Sequence, residues 1–302
     1  MKLIKTFFSV AITAIFCCII ASCSSDDENL PNVSSKRISM ISMDIEKNGN
    51  TKNSFLQLSY NQKKQITDIY CNSSGKMWEY FIDYQTKEIT SPKVYYRHYY
   101  NLNNQGYVSD LKYLRISDSG TEEDIRRVHF DYDNNGYMIS AKTFQMEYLM
   151  SGQRQEVPTR EVEYTYSNGN LIKVNTYVYY NKSEKSPMEG ENLIFTYSED
   201  LNVLGLPSCF AIYFAYWGYD FRFFPYLIEE GYPHINMKTG LVSTGVALTG
   251  LFGKPSKNLI LSCREETFGY VCRFRYKYDD NGNLKEIKGN STLENYTWYI
   301  EY

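Results

Sequence analysis

The chain has 302 residues, a formal net charge of −3, and 43% apolar and 16% aromatic residues, enough to bury a large core in a single domain. A mildly acidic balance with no basic stripe argues against nucleic acid as a partner. Seven cysteines without one CxxC spacing give no support to a zinc knuckle or a thioredoxin-like centre, so neither metal nor cofactor is expected.

Lys2 and Lys5 form a basic start, Phe7 to Ile20 an apolar run, and Ile20-Ala21-Ser22-Cys23 a cleavage site with small residues before a cysteine. The last four resemble a bacterial lipobox, which implies diacylglycerol on the Cys23 sulfur, further acylation with chains such as palmitate, and attachment to a membrane through that lipid. The run is too short, and its acidic serine-rich flank too polar, for a spanning helix of about 20 apolar residues. Ser25-Asp26-Asp27-Glu28 resembles the acidic signal that sends Bacteroidetes lipoproteins to the outer face of the outer membrane. Residues 1–22 are thus expected to be a signal peptide, 23–36 the lipidated cysteine and a flexible acidic tether, and 37–302 one β-rich domain with a helical insertion at about 205–258. Loss of Lys2 and Lys5 takes the mature charge to −5.

Beyond the tether, tyrosine organises the chain: 30 occur, many closing an alternating strand just before an Asp/Asn/Gly turn. The phrase is Tyr132-Asp133-Asn134-Asn135-Gly136-Tyr137-Met138, then Tyr166-Ser167-Asn168-Gly169-Asn170-Leu171, then Tyr278-Asp279-Asp280-Asn281-Gly282-Asn283-Leu284. Looser versions follow Tyr60, Tyr84, Tyr100 and Tyr197. Asn-Gly favours a hairpin turn with positive φ at both turn residues, and tyrosine packs well across strands. Anchors at Tyr100, Tyr132, Tyr166 and Tyr197 step by 32, 34 and 31 residues, one long hairpin per step. An antiparallel meander forming a curved open sheet or half-barrel is expected. Here the chain resembles the YD repeats of RHS-type proteins, whose Tyr-Asp-x-x-Gly-Asn-Leu hairpins build extended β structures.

Between Tyr197 and Tyr278 the repeat breaks. Ten of the seventeen residues from Phe210 to Tyr226 are aromatic. Phe210, Tyr213, Phe214, Trp217, Phe221 and Phe224 fall at helical spacing between Pro207 and Pro225, which predicts a buried aromatic helix lying on the apolar face of the sheet. Tyr216, Trp217 and Tyr219 are its candidates for reaching a ligand in a surface groove. The following Gly250-Leu251-Phe252-Gly253-Lys254-Pro255-Ser256-Lys257-Asn258-Leu259, taken with the lipobox and the hairpins, resembles an uncharacterised Bacteroidetes lipoprotein family, domain of unknown function 4595. That resemblance implies location and a β-rich fold and carries no catalytic residue.

Once Cys17 and Cys18 leave and Cys23 takes lipid, Cys71, Cys209, Cys263 and Cys272 remain. A hairpin loop at Glu266–Gly269 places Cys263 opposite Cys272, where a disulfide contributes about 2 to 3 kcal/mol. Asp131 to Gly136 opens like a calcium loop, but Lys142 stands where the closing glutamate belongs, so a turn is the better reading. His98, His129 and His234 form no local ligand pair, and Ser243 lacks the leading glycine of a nucleophile elbow. Glu161, Glu163, Asp220, Glu229 and Glu230 are the acids a glycosidase could draw on. The reading is a surface lipoprotein that binds a glycan or an outer-membrane protein without catalysis. A carboxylate-pair glycan hydrolase and a structural subunit docking by a sheet edge are the alternatives.

Overall fold

The computed structural model describes residues 37–47, 49–73, 76–91, 96–117, 119–180, 183–188, 192–206, 245–291 and 295–302. In chain order the strands are β1 (Met40–Lys47), β2 (Asn50–Tyr60), β3 (Ile66–Ser73), β4 (Lys76–Asp83), β5 (Glu88–Thr90), β6 (Tyr96–Leu102), β7 (Val108–Ile116), β8 (Glu122–Tyr132) and β9 (Met138–Tyr148). They continue as β10 (Arg154–Ser167), β11 (Asn170–Tyr180), β12 (Glu184–Pro187), β13 (Leu193–Leu201), β14 (Asn258–Glu265), β15 (Val271–Tyr278), β16 (Leu284–Ser291) and β17 (Asn295–Glu301).

Neighbours in sequence pair antiparallel, β13 follows β11 through a two-residue seam, and β17 returns to β1 over seven residue pairs from Met40↔Glu301 to Glu46↔Asn295. Sixteen strands therefore close a ring, with β12 paired to β11 outside it. This corrects the expected open sheet or half-barrel: β1 has a partner on each side, so the meander has no free first or last edge. The expected covering helix is corrected as well. The described part of the insertion holds one helical turn at 245–247 and then loop, and Phe210 to Tyr226 lies outside the described residues.

Period-two alternation decides which wall faces in. Ile41, Met43 and Ile45 of β1, Leu56 and Leu58 of β2, and Tyr296, Trp298 and Ile300 of β17 are all buried and belong to one continuous apolar cluster. Between them Ser42, Asp44, Gln57 and Thr297 point outward.

The tyrosine phrases gather the turns at one end of the barrel. Asp133 Oδ1 accepts the N–H groups of Asn135 and Tyr137, and Gly136 takes φ +87°. Asp279 holds Asn281, Asn283 and Gly282 in the same way. Among the described Asn-Gly and Asp/Asn turns only Asn168-Gly169 has positive φ at both residues. Elsewhere the Asp or Asn side chain favours a longer turn with one left-handed residue, Gly106, Gly136 and Gly282 but Lys64 and Lys87 after Tyr60 and Tyr84, and an extra residue appears as a bulge beside the tyrosine, as at Asp131/Tyr132.

Six tyrosines near these turns then reach one strand back. Tyr60, Tyr84, Tyr132, Tyr197, Tyr276 and Tyr302 donate their hydroxyls to the carbonyls of Ile38, Ile66, Val108, Leu171, Ile260 and Leu284. Burial pushes the Tyr84 and Tyr302 phenols up to about 12, so these donors keep their protons.

The glycine-rich phrase lies across these turns. The Leu251 carbonyl accepts the N–H of Val108, Lys254 donates to Gly136 O, and Lys257 donates to Gly169 O, each within 2.9 Å. Phe252 meets Phe130 edge-on, and Ser256 Oγ accepts the N–H of Leu171. One strap so ties three successive hairpins. Gly253 sits at φ +91°, and an added Cβ would lie 3.0 Å from both Gly136 O and the Tyr132 ring. Gly253→Ala is expected to cost about 2 to 3 kcal/mol, from backbone strain plus displacement of Tyr132, as read from the urea midpoint at unchanged slope.

Candidate functional site

Outward side chains are where this barrel presents chemistry. Charged networks ring the wall: Arg97 with Glu88 and Glu122, Arg127 with Asp124 and Glu156, and Lys173 with Glu266. Arg115 reaches Glu123, and Lys185 bridges Glu161 and Glu163 while Tyr179 donates to Glu161. Hydrogen bonds from Tyr179 and Lys185, with the nearby Lys142 charge, outweigh desolvation and hold the Glu161 carboxyl below its usual range. Glu161 and Glu163 thus act as ion-pair partners on the outer wall, and the lowered carboxyl of Glu161 is no setting for a protonated general acid.

A groove of about 810 Å³ is cut into this wall near the turn end, where β5 has three residues only. Its floor is a row in register, Asp68 of β3, Phe81 of β4 and Thr90 of β5, with Asp83 facing Glu88 beside it. The β2–β3 turn forms a rim in which Asn61 and Gln65 hold each other through their side chains. Phe81 is 38% exposed, large for an aromatic ring in a strand. Backbone N–H groups of Thr86 and Gln85 bond Asp83 and hold its carboxyl below the ordinary value, so it stays an acceptor. Carboxylates and amides around an open apolar ring suit a sugar, whose hydroxyls donate and whose C–H face stacks. Sequence reading missed this groove because its residues come from four elements with no local motif. The available signal was Phe81, an aromatic at an outward position between Tyr80 and Ile82, which are buried.

The remaining sequence candidates divide clearly. Cys23, Tyr216, Trp217, Tyr219, Cys209, Asp220, Glu229, Glu230, His234 and Ser243 lie outside the described residues. Cys263 and Cys272 stand directly opposite each other, inward and buried, as free thiols. Burial pushes the Cys272 thiol up to about 12, with Cys263 raised further by the same cause and by its neighbour. Asp131 accepts from Ser140 and Asp133 caps its turn, so the acids of the calcium-like phrase are spent on the hairpin. No group of three or more metal-ligating side chains occurs among the described residues.

His129 lies on the outer wall between Asp110 and Glu156. His98 points inward, fully buried, with Nδ1 3.2 Å from the Ile89 carbonyl and Tyr113 edge-on to its ring. Buried arginines also face the lumen: Arg126 lies across from Tyr113 and Gln145, and Arg160 across from Thr143. Both make contacts of their own. An arginine in the apolar phase of an alternating strand was the sequence signal for this inner polar row.

The class so defined is an up-and-down antiparallel barrel of sixteen strands with a charged outer wall and an apolar lumen. No protein-family model matches the chain, and no curated protein matches it in sequence. Among solved structures, a porin-like protein from Bacteroides uniformis is similar with a TM-score of 0.56 at 14% identity, covering 87% of this chain and 98% of that one. A porin-like protein from Bacteroides vulgatus has a TM-score of 0.48 at 13% identity, covering 88% and 98%. A DUF3836 family protein from the same species has 0.28 at 14%, covering 32% and 95%. The first likeness is one of fold, and the other two are too distant to add to it.

Desolvation lowers His98 to about 4 from an ordinary 6.5. The unfolded chain therefore binds a proton that the folded chain refuses. Stability is complete above pH 6.5 and falls by about 3 kcal/mol as pH drops to 4. Urea unfolding at pH 7.5 and 4.5 is expected to show this loss, and His98→Phe to remove that part of the pH slope.

Proposed function

We propose that the chain is an outer-membrane lipoprotein moored by acyl chains on Cys23, displayed at the cell surface, and binding a glycan or protein partner through its outer wall without catalysing a reaction. The charged wall carries the reading. A lipid-spanning barrel turns an apolar band outward, and each cation at the bilayer midplane costs about 2 to 4 kcal/mol. Here the apolar phase faces the lumen and the ion pairs face out, so the body belongs in water and membrane attachment falls to the lipid. The same polarity opposes a conducting role, since a water-filled channel has a polar lining. The architecture shared with the Bacteroides uniformis porin-like protein supports a Bacteroidetes outer-membrane setting. The kinship with domain of unknown function 4595 and with YD repeats belongs to this reading too.

Ring closure weakens docking by an exposed sheet edge. The carboxylates of the outer wall are bound to arginines, lysines and backbone N–H groups, which favours binding over hydrolysis. The groove at Phe81 is the contact proposed for the glycan, with Tyr216, Trp217 and Tyr219 as further contacts and Cys263–Cys272 as a bridge formed under oxidising conditions.

Three measurements test this. Cys23→Ser is expected to move the protein from the membrane to the soluble fraction, and planar bilayers exposed to the protein are expected to show no conductance; retention or channels would make the barrel itself the membrane element. On an array of neutral glycans, Phe81→Ala with Asp83→Asn is expected to weaken binding about tenfold or more, the scale of one stacking contact and one charge-assisted hydrogen bond. Unchanged binding would remove the groove from the reading.

A further inference from the structure

We infer that the outer face of β14–β16 is a second binding site, built for an acidic glycan whose carboxylate or sulfate groups seat on Arg273 and Arg275. The inference rests on the proposed working role of the outer wall and adds the ligand's charge.

Elsewhere on the wall nearly every arginine is matched to an acid. Arg273 and Arg275, both exposed, make no side-chain hydrogen bond or ion pair with a described residue. They stand two residues apart on one face of β15, so their guanidinium groups rise about 7 Å apart along the strand. Arg275 lies directly across from Lys288, and like charges in that position destabilise a sheet. Glu286, the one acid at an outward position of these three strands, stands across from Lys277 and lies 3.7 Å from Lys288, leaving Arg264, Arg273 and Arg275 on the same wall with no ion pair among the described residues. A bound anion relieves what the fold leaves uncompensated.

The backbone supplies the recess. Pairing of β14 with β15 spans three residue pairs, Ser262↔Arg273 to Arg264↔Val271, after which the strands part. A groove of about 650 Å³ opens there, lined by Leu261, Ser262, Arg273, Phe274, Arg275 and Asn290. Leu261 is 49% exposed, an apolar patch for the C–H face of a sugar, while Ser262 and Asn290 offer hydrogen bonds to its hydroxyls. Nucleic acid fits less well: Phe274 is buried, so the groove presents no open ring for a base. A flat anionic membrane does not enter a recess.

The test is calorimetric titration of the full lipidated chain in neutral detergent with a polygalacturonate oligosaccharide at low salt, beside a neutral dextran of equal length. Polygalacturonate is expected to bind and to weaken as salt rises. Arg273→Ala with Arg275→Ala is expected to weaken it about tenfold or more, as loss of charge-assisted hydrogen bonds dictates. Lys254→Ala with Lys257→Ala, exposed charges at the turn end, is expected to leave it within about twofold. Equal loss in both double variants would reduce the effect to net charge, and no binding of polygalacturonate would overturn the site. Tighter binding of a DNA oligonucleotide or of phosphatidylglycerol vesicles would reassign the surface. Failure of the neutral-glycan array alone would count against the Phe81 groove and leave this site standing.

Discussion

The pairing of β1 with β17 is the constraint on which the other features depend. Seven residue pairs join the first strand to the last, and that closure turns the apolar phase of every strand toward a common interior. An open sheet of the same strands would leave two rows of unpaired backbone groups and a broad apolar face in need of a cover. Closure meets both needs at once, because each inward side chain finds its neighbours across the lumen. It also leaves the outer wall as the face turned to solvent along the described strands.

Closing a ring of many strands demands accurate register, and the turn end supplies it. In hairpins such as that at Tyr132 the Asp side chain fixes the turn, glycine takes the left-handed position, and the tyrosine hydroxyl clamps the carbonyl one strand upstream. Tyr107 covers Gly136 and stacks on Tyr132, and Tyr137 covers Gly169 and packs on Tyr166, so each hairpin seats the next. The strap from Leu251 to Lys257 then binds three of these units from outside the repeat. Repetition lets one local solution be reused around the ring.

Charge is distributed with a consistent logic. Acids and bases neutralise one another over most of the outer wall, so the exceptions stand out: an acid-lined groove with an open Phe81, and a basic recess with unmatched Arg273 and Arg275. Inside, neutral His98 and the arginines Arg126 and Arg160 interrupt the apolar lining on the β6, β8 and β10 strands. Fold likeness to a porin-like protein therefore extends to strand architecture, while along the described strands the apolar phase faces in and the ion pairs face out.

Strand character, hairpin spacing, the places of the turns and the Cys263–Cys272 facing were legible in the sequence, because each depends on residues near in the chain or on simple alternation; the turn geometry was not, except at Asn168-Gly169. Whether Glu161 and Glu163 serve a carboxylate pair was left open by the sequence, because the Lys185 and Tyr179 that hold them come from other strands. Closure was not legible, since pairing of Met40 with Glu301 has no local signature, and an open meander carries the same alternation as a closed one. The strap was visible as a glycine-rich phrase, but its contacts with Val108, Gly136 and Gly169 arise only when distant turns converge. Both grooves belong to the tertiary structure for the same reason: their walls come from strands brought side by side, and an exposed Phe81 or an unmatched Arg275 is defined by the neighbours it lacks. The sequence by itself determined a tyrosine-clamped antiparallel meander and the periodicity of its two faces. Only the tertiary structure decided that the meander closes, which face is inside, and where on the outside charge is left unmatched, because those depend on contacts across the whole length of the chain.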